Sequence, residues 1–313
     1  MHISCSDRFA GSLVAGALGD AFGAPYEGGL FERCLWKLIG KQSGKHRWTD
    51  DTQMSLNVIE SLLSCGSIDQ NDLACRFAAS YRWSRGYGPG TARLLRLIRR
   101  GTPWQVAVRR IYSDGSFGNG GAMRAPAIGL FYSRAGDEII AAAASSAAAV
   151  THAHPLAIEG AVLVALATAY SLGNMGAQEL LERLVRRAEA DEYAARLNKA
   201  LEWLNRSKKP DVREVAKELG NGIAAVESCV TAIYIAQIYQ DRPYVELLEF
   251  AIRLGGDVDT IASMSSAIWG ASRGLSALPE SLLERLEYRE NIVDLAMQLT
   301  AGCAHISQEK NVR

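Results

Sequence analysis

The chain has 313 residues, of which 48% are hydrophobic and 22% are charged, so it has enough apolar side chains to bury a large core. Lysine plus arginine and aspartate plus glutamate are equal at 34 each, so no overall electrostatic field attracts nucleic acid or an anionic membrane. We therefore expect neither partner, and any anionic ligand must be met by a local patch of positive charge.

The cysteines and the N-terminus bear on cellular location. The six cysteines are scattered and include no Cys-x-x-Cys pair, which indicates neither a disulfide framework nor a zinc site. Residues 1–7 lack the basic and then apolar pattern of a secretory signal. The most apolar stretches, 139–150 and 160–172, are shorter than the roughly 18 residues that a membrane span needs. We expect a cytoplasmic protein with reduced cysteines.

Apolar residues recur at three- and four-residue spacing, as in Phe9, Leu13 and Ala17, which is the period of an amphipathic helix. The alternating pattern of strands is absent from the sequence, and good helix formers dominate the periodic segments. The predicted helices are 7–22, 51–64, 70–83, 91–100, 103–112, 138–150, 155–171, 176–205, 211–218, 222–240, 243–254, 258–275 and 280–303. The sequence predicts one all-α domain over residues 1–313 that ends in a short flexible tail.

Two acidic clusters stand directly before predicted helices: Thr-Asp-Asp-Thr at 49–52 and Asp-Val-Asp-Thr at 257–260. Either could simply cap its helix, because Thr and Asp accept the unpaired N–H groups of a first turn. Four carboxylates brought together would instead repel one another unless cations neutralised them. Two divalent ions about 3.5 to 4 Å apart would do so. All-oxygen ligands favour Mg²⁺, Mn²⁺ or Ca²⁺ over zinc or copper.

Two motifs between the clusters could contact a ligand. In the segment 117–126, Gly118, Gly120 and Gly121 leave backbone N–H groups open to a close ligand, as phosphate-binding turns require. The alternative is a flexible loop. His154 precedes Pro155 at the start of an apolar helix, where it could donate a hydrogen bond to a ribose or phosphate. It could equally be satisfied by backbone groups of that helix.

Together with 16–27, 85–91 and 151–155, these motifs resemble in their order those of the ADP-ribosylglycohydrolase family, over about residues 11–274. That family includes the dinitrogenase reductase-activating glycohydrolase and the ADP-ribosyl-arginine and ADP-ribosyl-serine hydrolases. The resemblance implies a compact orthogonal helical domain. It also implies hydrolysis of the bond between the distal ribose of ADP-ribose and a protein side chain, with arginine as the favoured acceptor and serine as the other.

The resemblance further implies which residues form the site. The expected catalytic carboxylates are Glu27 and Asp259. The expected ligands of two divalent cations, Mg²⁺ or Mn²⁺, are Thr49, Asp50, Asp51, Asp257, Asp259 and Thr260. The expected ADP-ribose contacts are Tyr87, Phe117, Gly118, Asn119, Gly120, Gly121, Met123, Arg124 and His154, with His154 preferred to His152. Phe117 or Tyr87 could stack on adenine and Arg124 could face an anionic group, although each could equally be ordinary packing or a solvated cation.

The implied partners are ADP-ribose and an ADP-ribosylated protein, in a role of enzyme reactivation or of immunity to an ADP-ribosylating toxin. One alternative is a catalytically silent member of the same fold that binds ADP-ribose or neutralises a toxin. Another is a two-metal phosphoesterase, which would release phosphate or AMP instead of intact ADP-ribose. The presence of both acidic clusters argues against a silent member.

Overall fold

The computed structural model describes residues 3–26 and 44–310, with side chains described through residue 303. Those ranges hold sixteen α-helices and no named strand. The helices are α1 Cys5–Gly23, α2 Asp50–Cys65, α3 Gln70–Ser80, α4 Pro89–Arg99, α5 Trp104–Ile111, α6 Ala125–Phe131, α7 Asp137–Ala149, α8 Pro155–Leu172, α9 Ala177–Arg187, α10 Asp191–Leu204, α11 Val212–Glu218, α12 Ala225–Ile238, α13 Tyr244–Leu254, α14 Val258–Arg273, α15 Glu280–Leu283 and α16 Arg289–Lys310. The predicted all-α class is confirmed.

The predicted helix 176–205 was wrong, because it is broken into α9 and α10. Ala188 has an extended backbone, with φ −61° and ψ 130°. The backbone N–H groups of Glu189 and Ala190 instead donate to the carboxylate of Glu159 on α8, at 2.8 and 3.2 Å. A partner from a distant helix therefore stabilises a break that the local helix propensity does not indicate.

Two further helices differ from the prediction, one because it is short and one because a distant segment interrupts it. The seven-residue helix α6 was not predicted, because it is too short and too uniformly apolar to show a helical period. The predicted helix 280–303 consists of α15 and α16, separated by a segment that pairs with the chain before α2. In that pairing His46 N–H donates to Arg285 O at 2.7 Å, and Glu287 N–H donates to His46 O at 3.1 Å.

Helices α1 and α14 pack against each other along their length, and two glycines allow their close approach. A Cβ at Gly19 would lie 2.3 Å from the carbonyl oxygen of Ala262, and one at Gly23 would lie 2.4 Å from Asp259 Cα. Both distances are well inside van der Waals contact, so larger residues would push the helices apart. The end of α1 is thereby held against the start of α14, where the second acidic cluster lies.

Helix α8 lies inside the molecule. Among the described residues it is the one helix long and apolar enough, by length and composition, to cross a membrane, with a mean hydropathy of 1.6. However, 72% of it is buried, and it packs against α6, α7, α12 and α14. Its apolar surface is thus covered by the chain's own helices, as in a central core helix.

Candidate functional site

Both acidic clusters line one open cleft of about 280 Å³, between the starts of α2 and α14. The cleft-lining acids are Asp50, Asp51, Asp257 and Asp259. Thr260 Oγ1 lies 3.4 Å from Asp51 Oδ1, which joins residues 209 positions apart in the sequence. The two clusters, which could each have been only a helix cap, therefore meet.

The first cluster is positioned by Asp20, a buried carboxylate near the end of α1. Asp20 accepts the backbone N–H of Thr49 at 2.9 Å, the backbone N–H of Thr52 at 3.0 Å and the hydroxyl of Thr52 at 2.6 Å. Burial raises the pKa of Asp20 to about 6, although these hydrogen bonds oppose the shift. Thr49 is the N-cap of α2, because its hydroxyl accepts Asp51 N–H at 3.3 Å.

The second cluster is positioned by the backbone. Gly255 and Gly256 have φ of +71° and +75°, which glycine adopts without strain. A Cβ on Gly256 would lie 1.9 Å from the carbonyl oxygen of Asn221. That same oxygen accepts Asp257 N–H at 2.8 Å. The paired glycines therefore turn the chain sharply enough to bring Asp257 into the cleft as α14 begins.

Asn119 links the Gly-rich segment to the second cluster. Its side-chain amide donates to Asp257 Oδ2 and to Ser228 Oγ. Its backbone N–H donates to Ile223 O at 3.0 Å, and Ala225 N–H donates to Phe117 O at 3.0 Å. The segment is thus pinned to residues 223–225 and forms a fixed wall of the cleft, which argues against the alternative of a flexible loop.

Gly120 allows a histidine to reach the cleft wall, and that histidine is His152. A Cβ at Gly120 would lie 2.5 Å from His152 Cε1. The imidazole is buried, and its Nδ1 lies 2.7 Å from Thr151 Oγ1. Burial and, to a smaller extent, Arg124 lower the pKa of His152 to about 3, so the ring is neutral near pH 7.

The preference for His154 over His152 as a ligand contact is not supported by where the two side chains lie. His154 is the N-cap of α8, and its Nδ1 accepts Leu156 N–H at 3.2 Å. It contacts Phe117 edge to face with ring centroids 6.3 Å apart, and only His152 of the two lines the cleft. The alternative role left open by the sequence, a histidine satisfied by a helix start, is the one that His154 adopts.

The other predicted ligand contacts lie at different distances from the cleft. Gly118, Asn119, Gly120 and Met123 line the cleft. Phe117 is 57% exposed beside the cleft wall, whereas Tyr87 is buried edge-on against Tyr81, with ring centroids 5.0 Å apart. Gly121 packs behind the wall, where its Cβ would lie 3.0 Å from Ala148 Cβ.

Arg124 does not face the cleft, and its side chain adopts the packed position that the sequence left open as the alternative to an anion contact. The side chain is fully buried, and it donates to Gly120 O, to Ala147 O at 2.9 Å and to Thr151 Oγ1 at 2.8 Å. Its guanidinium carbon also lies 4.9 Å from the ring centroid of Phe77. Arg124 thus supports the Gly-rich wall from behind.

The chemistry of the cleft fits hard divalent cations. Its acids and the hydroxyl of Thr260 form an all-oxygen donor set of the kind that Mg²⁺ and Mn²⁺ prefer. Within residues 3–26 and 44–303, no three His, Cys, Asp or Glu side chains already converge as a group that could hold an ion. Glu27, one of the two expected catalytic carboxylates, lies outside the described residues.

Comparison with known proteins gives concordant results. The family model described as ADP-ribosylglycohydrolase matches residues 1–308. The chain is 34% identical over 337 residues to the ADP-ribosylhydrolase ARH3 of Danio rerio, covering 93% of this chain and 90% of that protein. It is 34% identical over 338 residues to the protein of the same name from Homo sapiens, covering 93% and 92%. A solved structure named ADP-ribosylglycohydrolase-related protein complex matches with a TM-score of 0.72 and 26% identity, covering 96% of this chain and 99% of that one.

Proposed function

Because the chain belongs to the ADP-ribosylglycohydrolase family, we propose that it cleaves the glycosidic bond between the distal ribose of ADP-ribose and a protein side chain by a two-metal mechanism. The observation that carries the mechanism is the meeting of the two acidic clusters, marked by the contact of Thr260 with Asp51. The products are free ADP-ribose and the restored side chain.

The ADP-ribose moiety fits the wall formed by residues 118–120. Small residues there allow a pyrophosphate to approach the backbone, and His152 adds a neutral imidazole beside it. The exposed side chains of Phe117 and Ile223 offer apolar surface for the adenine at the end of the same wall. This orientation directs the distal ribose towards the acidic clusters.

The proposed cation ligands are Thr49, Asp50, Asp51, Asp257, Asp259 and Thr260. Two bound divalent cations would orient the ribose hydroxyls and lower the pKa of a bound water. Asn119 fixes the carboxylate of Asp257, and Thr260 N–H donates to Asp259 Oδ1 at 2.8 Å, so both carboxylates are oriented before substrate binds.

Proton transfer falls to the two proposed catalytic carboxylates, Glu27 and Asp259. One carboxylate accepts a proton from the attacking water as the water oxygen bonds to the ribose carbon. The bond from that carbon to the side chain breaks, and an acid gives a proton to the departing side chain. A leaving guanidine is a strong base that departs readily once protonated, so one well-placed acid suffices for an arginine linkage. A serine linkage makes a similar demand, and arginine is proposed as the acceptor on the resemblance alone.

The test is to incubate the purified chain with an arginine-ADP-ribosylated protein and, in parallel, a serine-ADP-ribosylated peptide. Each reaction is run with EDTA, with added Mg²⁺ and with added Mn²⁺, and the product is identified by mass. We expect metal-dependent release of intact ADP-ribose. Asp257→Ala and Asp259→Ala should each lower the rate by roughly a hundredfold or more, since even residues behind a metal ligand contribute 10- to 100-fold.

The matched control is Asp241→Asn, because Asp241 is 91% exposed and pairs with Arg273, outside the cleft. Full activity in EDTA would contradict the two-metal mechanism. Release of AMP or phosphate would identify a phosphoesterase instead. Binding of ADP-ribose without turnover of either linkage would identify a silent binding protein, and only that outcome leaves room for toxin neutralisation.

A further inference from the structure

One continuous segment of this electrically neutral chain is strongly basic. Residues 81–113 contain eight arginines, at positions 82, 85, 93, 96, 99, 100, 109 and 110, and contain no aspartate, glutamate or lysine. The segment includes α4 and α5 and the 3-10 turn Trp83–Arg85. The whole sequence has 34 basic and 34 acidic residues, so its net charge does not reveal this basic segment.

Seven of the eight arginines are exposed, and Arg85 alone is buried, where it pairs with Glu287. Within the part of the chain that the structure describes, none of the seven takes part in an ion pair. Their hydrogen bonds go to backbone carbonyls, such as Arg96 to Ala92 O at 2.9 Å and Arg99 to Ala79 O at 3.1 Å. This surface therefore carries positive charge that no described carboxylate neutralises.

The arginines stand on a firm support that adjoins the cleft. Leu94 of α4 packs with Ala107 and Val108 of α5 in a small separate core. The start of α4 and Tyr112, just after α5, line the cleft, and the ring of Tyr112 covers Gly90 so closely that a Cβ there would lie 2.1 Å from its hydroxyl oxygen. A ligand bound along α4 and α5 would thus lie next to the mouth of the site.

An exposed tryptophan adjoins these arginines, because its sequence neighbour Arg82 and Arg99 of α4 both donate to Ala79 O, at 3.3 and 3.1 Å. Trp83 is 81% exposed and lies between Arg82 and Arg85 in the sequence, while Tyr112 is 43% exposed at the cleft side. Flat guanidinium groups and aromatic rings both stack on nucleobases, and guanidinium also pairs with phosphate. The carboxylates of an acidic peptide would pair with the arginines, but Asp and Glu side chains have no aromatic ring to stack on Trp83. The 3-10 turn Trp83–Arg85 presents a single exposed ring, whereas reading a duplex needs an element that enters a groove, so this surface suits unpaired bases.

We propose that the α4–α5 surface, meaning residues 81–113, binds single-stranded nucleic acid, with phosphates on the exposed arginines and a base stacked on Trp83. The proposal does not depend on the proposed hydrolysis, because binding along α4 and α5 needs no turnover. The sequence predicted no nucleic-acid partner because the charges of the whole chain balance. The positive charge of this surface is confined to residues 81–113 and does not appear in that balance.

The experiment measures fluorescence anisotropy of labelled (dT)20 with the full chain at 50 and 200 mM salt. The test variant carries Arg93→Gln, Arg96→Gln and Arg100→Gln, since these positions lie on one face of the helix at i, i+3 and i+7 and glutamine preserves helix propensity. The matched control removes the same charge from exposed positions on α9, α11 and α13, with Arg186→Gln, Arg213→Gln and Arg253→Gln. Circular dichroism and thermal unfolding check that both variants are folded.

We expect the wild-type chain to bind with a steep salt dependence. The test variant should bind at least about tenfold more weakly, and its slope of log affinity against log salt should be smaller by about 2, at roughly 0.7 per lost phosphate contact. The control triple variant should bind within about twofold of wild type. Trp83→Ala should weaken binding about tenfold without changing the salt slope, because stacking releases no counterions.

Three outcomes would overturn the assignment. The first is no saturable binding of (dT)20 at 50 mM salt. The second is an equal loss of affinity in the control triple variant, which would mean non-specific attraction. The third is competition by poly-glutamate or by a poly(ADP-ribose) chain that matches or exceeds unlabelled (dT)20 at equal charge, which would assign the surface to an acidic protein or to that polymer.

Discussion

The two acidic clusters reach the same cleft by different physical means. The first, at the start of α2, is held by a side chain, because the buried carboxylate of Asp20 collects the donors of Thr49 and Thr52. The second, at the start of α14, is held by the backbone, because Gly256 passes against the carbonyl of Asn221 where no Cβ fits. The first cluster should therefore be sensitive to the loss of a hydrogen-bond acceptor at Asp20. The second should be sensitive to added side-chain volume at Gly256.

The largest effect is expected from Gly256→Ala. Its φ of +75° is unfavourable for alanine, and its Cβ would lie 1.9 Å from Asn221 O, so the turn that carries Asp257 must move. We expect a loss of activity of about a hundredfold or more and a clear fall in melting temperature, since 1 Å misplacements alone can cost that much in rate. Activity and thermal unfolding are measured on the same sample.

Gly66→Ala is the matched control, because Gly66 has a nearly equal φ of +70° but a Cβ added there would have nothing within 4 Å. It should lower stability by roughly 1–2 kcal/mol, the left-handed penalty alone, and leave activity unchanged. Equal activity losses in the two variants would show that the strained φ, and not the clash of the added Cβ, disturbs the site. The proposed difference between the two acidic clusters would then fail.

The next effect is expected from Asp20→Asn, which changes chemistry at nearly constant volume. One oxygen of Asp20 becomes an NH₂ group, which cannot accept an N–H, so a single amide oxygen is left for the donors that the two carboxylate oxygens share, the N–H groups of Thr49 and Thr52 and the hydroxyl of Thr52. We expect the affinity for Mn²⁺, measured by calorimetry, to fall about 10- to 100-fold, as for other residues that orient metal ligands. Asp69→Asn, at the exposed N-cap of α3, should have no effect, because asparagine caps a helix as well as aspartate does.

The pH dependence of stability tests whether the Asp20 carboxyl is buried as strongly as the structure indicates. Burial raises the pKa of Asp20 from 3.8 to about 6. A raised folded-state pKa contributes stability that is fully present below about 3.8 and is lost as the pH rises through about 6. In metal-free protein, the difference in unfolding free energy between wild type and Asp20→Asn should therefore fall from pH 4 to 6, as followed by urea unfolding. A difference that stays flat over this interval would mean that Asp20 is not strongly desolvated.

The residues that the sequence singled out include the four acids that line the cleft, but not the buried carboxylate of Asp20 that holds the first cluster. The acidic clusters could be found because they stand at helix starts, where both capping and metal binding need oxygen atoms. Asp20 lies within the motif of residues 16–27 but carries no local sign that it accepts bonds from residues about thirty positions away. His152 and His154 could not be separated by spacing, because the choice depends on the missing Cβ of Gly120 and on the cap of α8.

The same limit applies to the fold. The helical period located most helices, but the break between α9 and α10 depends on Glu159, and the break before α16 depends on pairing with residues 46–48. Both are long-range interactions that a local window does not contain. The small helix α6 shows the opposite case, since it is buried on all sides and so has no amphipathic pattern.

A smaller effect is expected from Asn119→Ala, which removes a side-chain donor to Asp257 Oδ2. Since the backbone turn at Gly256 remains, the carboxylate stays in the cleft but is less well oriented. We expect about a tenfold loss of activity with little change in melting temperature. Ser228→Ala, which removes the other acceptor of the Asn119 amide, should have a weaker effect. If Asn119→Ala lowered activity as much as Gly256→Ala, the second cluster would also depend on side-chain hydrogen bonds.

The smallest effect is expected from Glu287→Gln, which tests a support of the first cluster from outside the motifs of residues 11–274. Glu287 accepts Trp48 N–H at 3.1 Å and pairs with Arg85, whose guanidinium carbon lies 3.5 Å from the Trp48 ring centroid. Glutamine keeps an acceptor but loses the charge. We expect about 1–2 kcal/mol lower stability in urea unfolding, because the pair is partly buried, and only a few-fold loss of activity.

The exposed pair of Glu280 with Arg289 provides the control, and Glu280→Gln should change stability by less than about 0.5 kcal/mol. Should Glu287→Gln reduce Mn²⁺ affinity as strongly as Asp20→Asn, the first cluster would have two supports of equal weight, one from α1 and one from the C-terminal segment. A change in stability alone would leave Asp20 as the residue that orients the ligands, because Glu287 would then hold only the chain that precedes them.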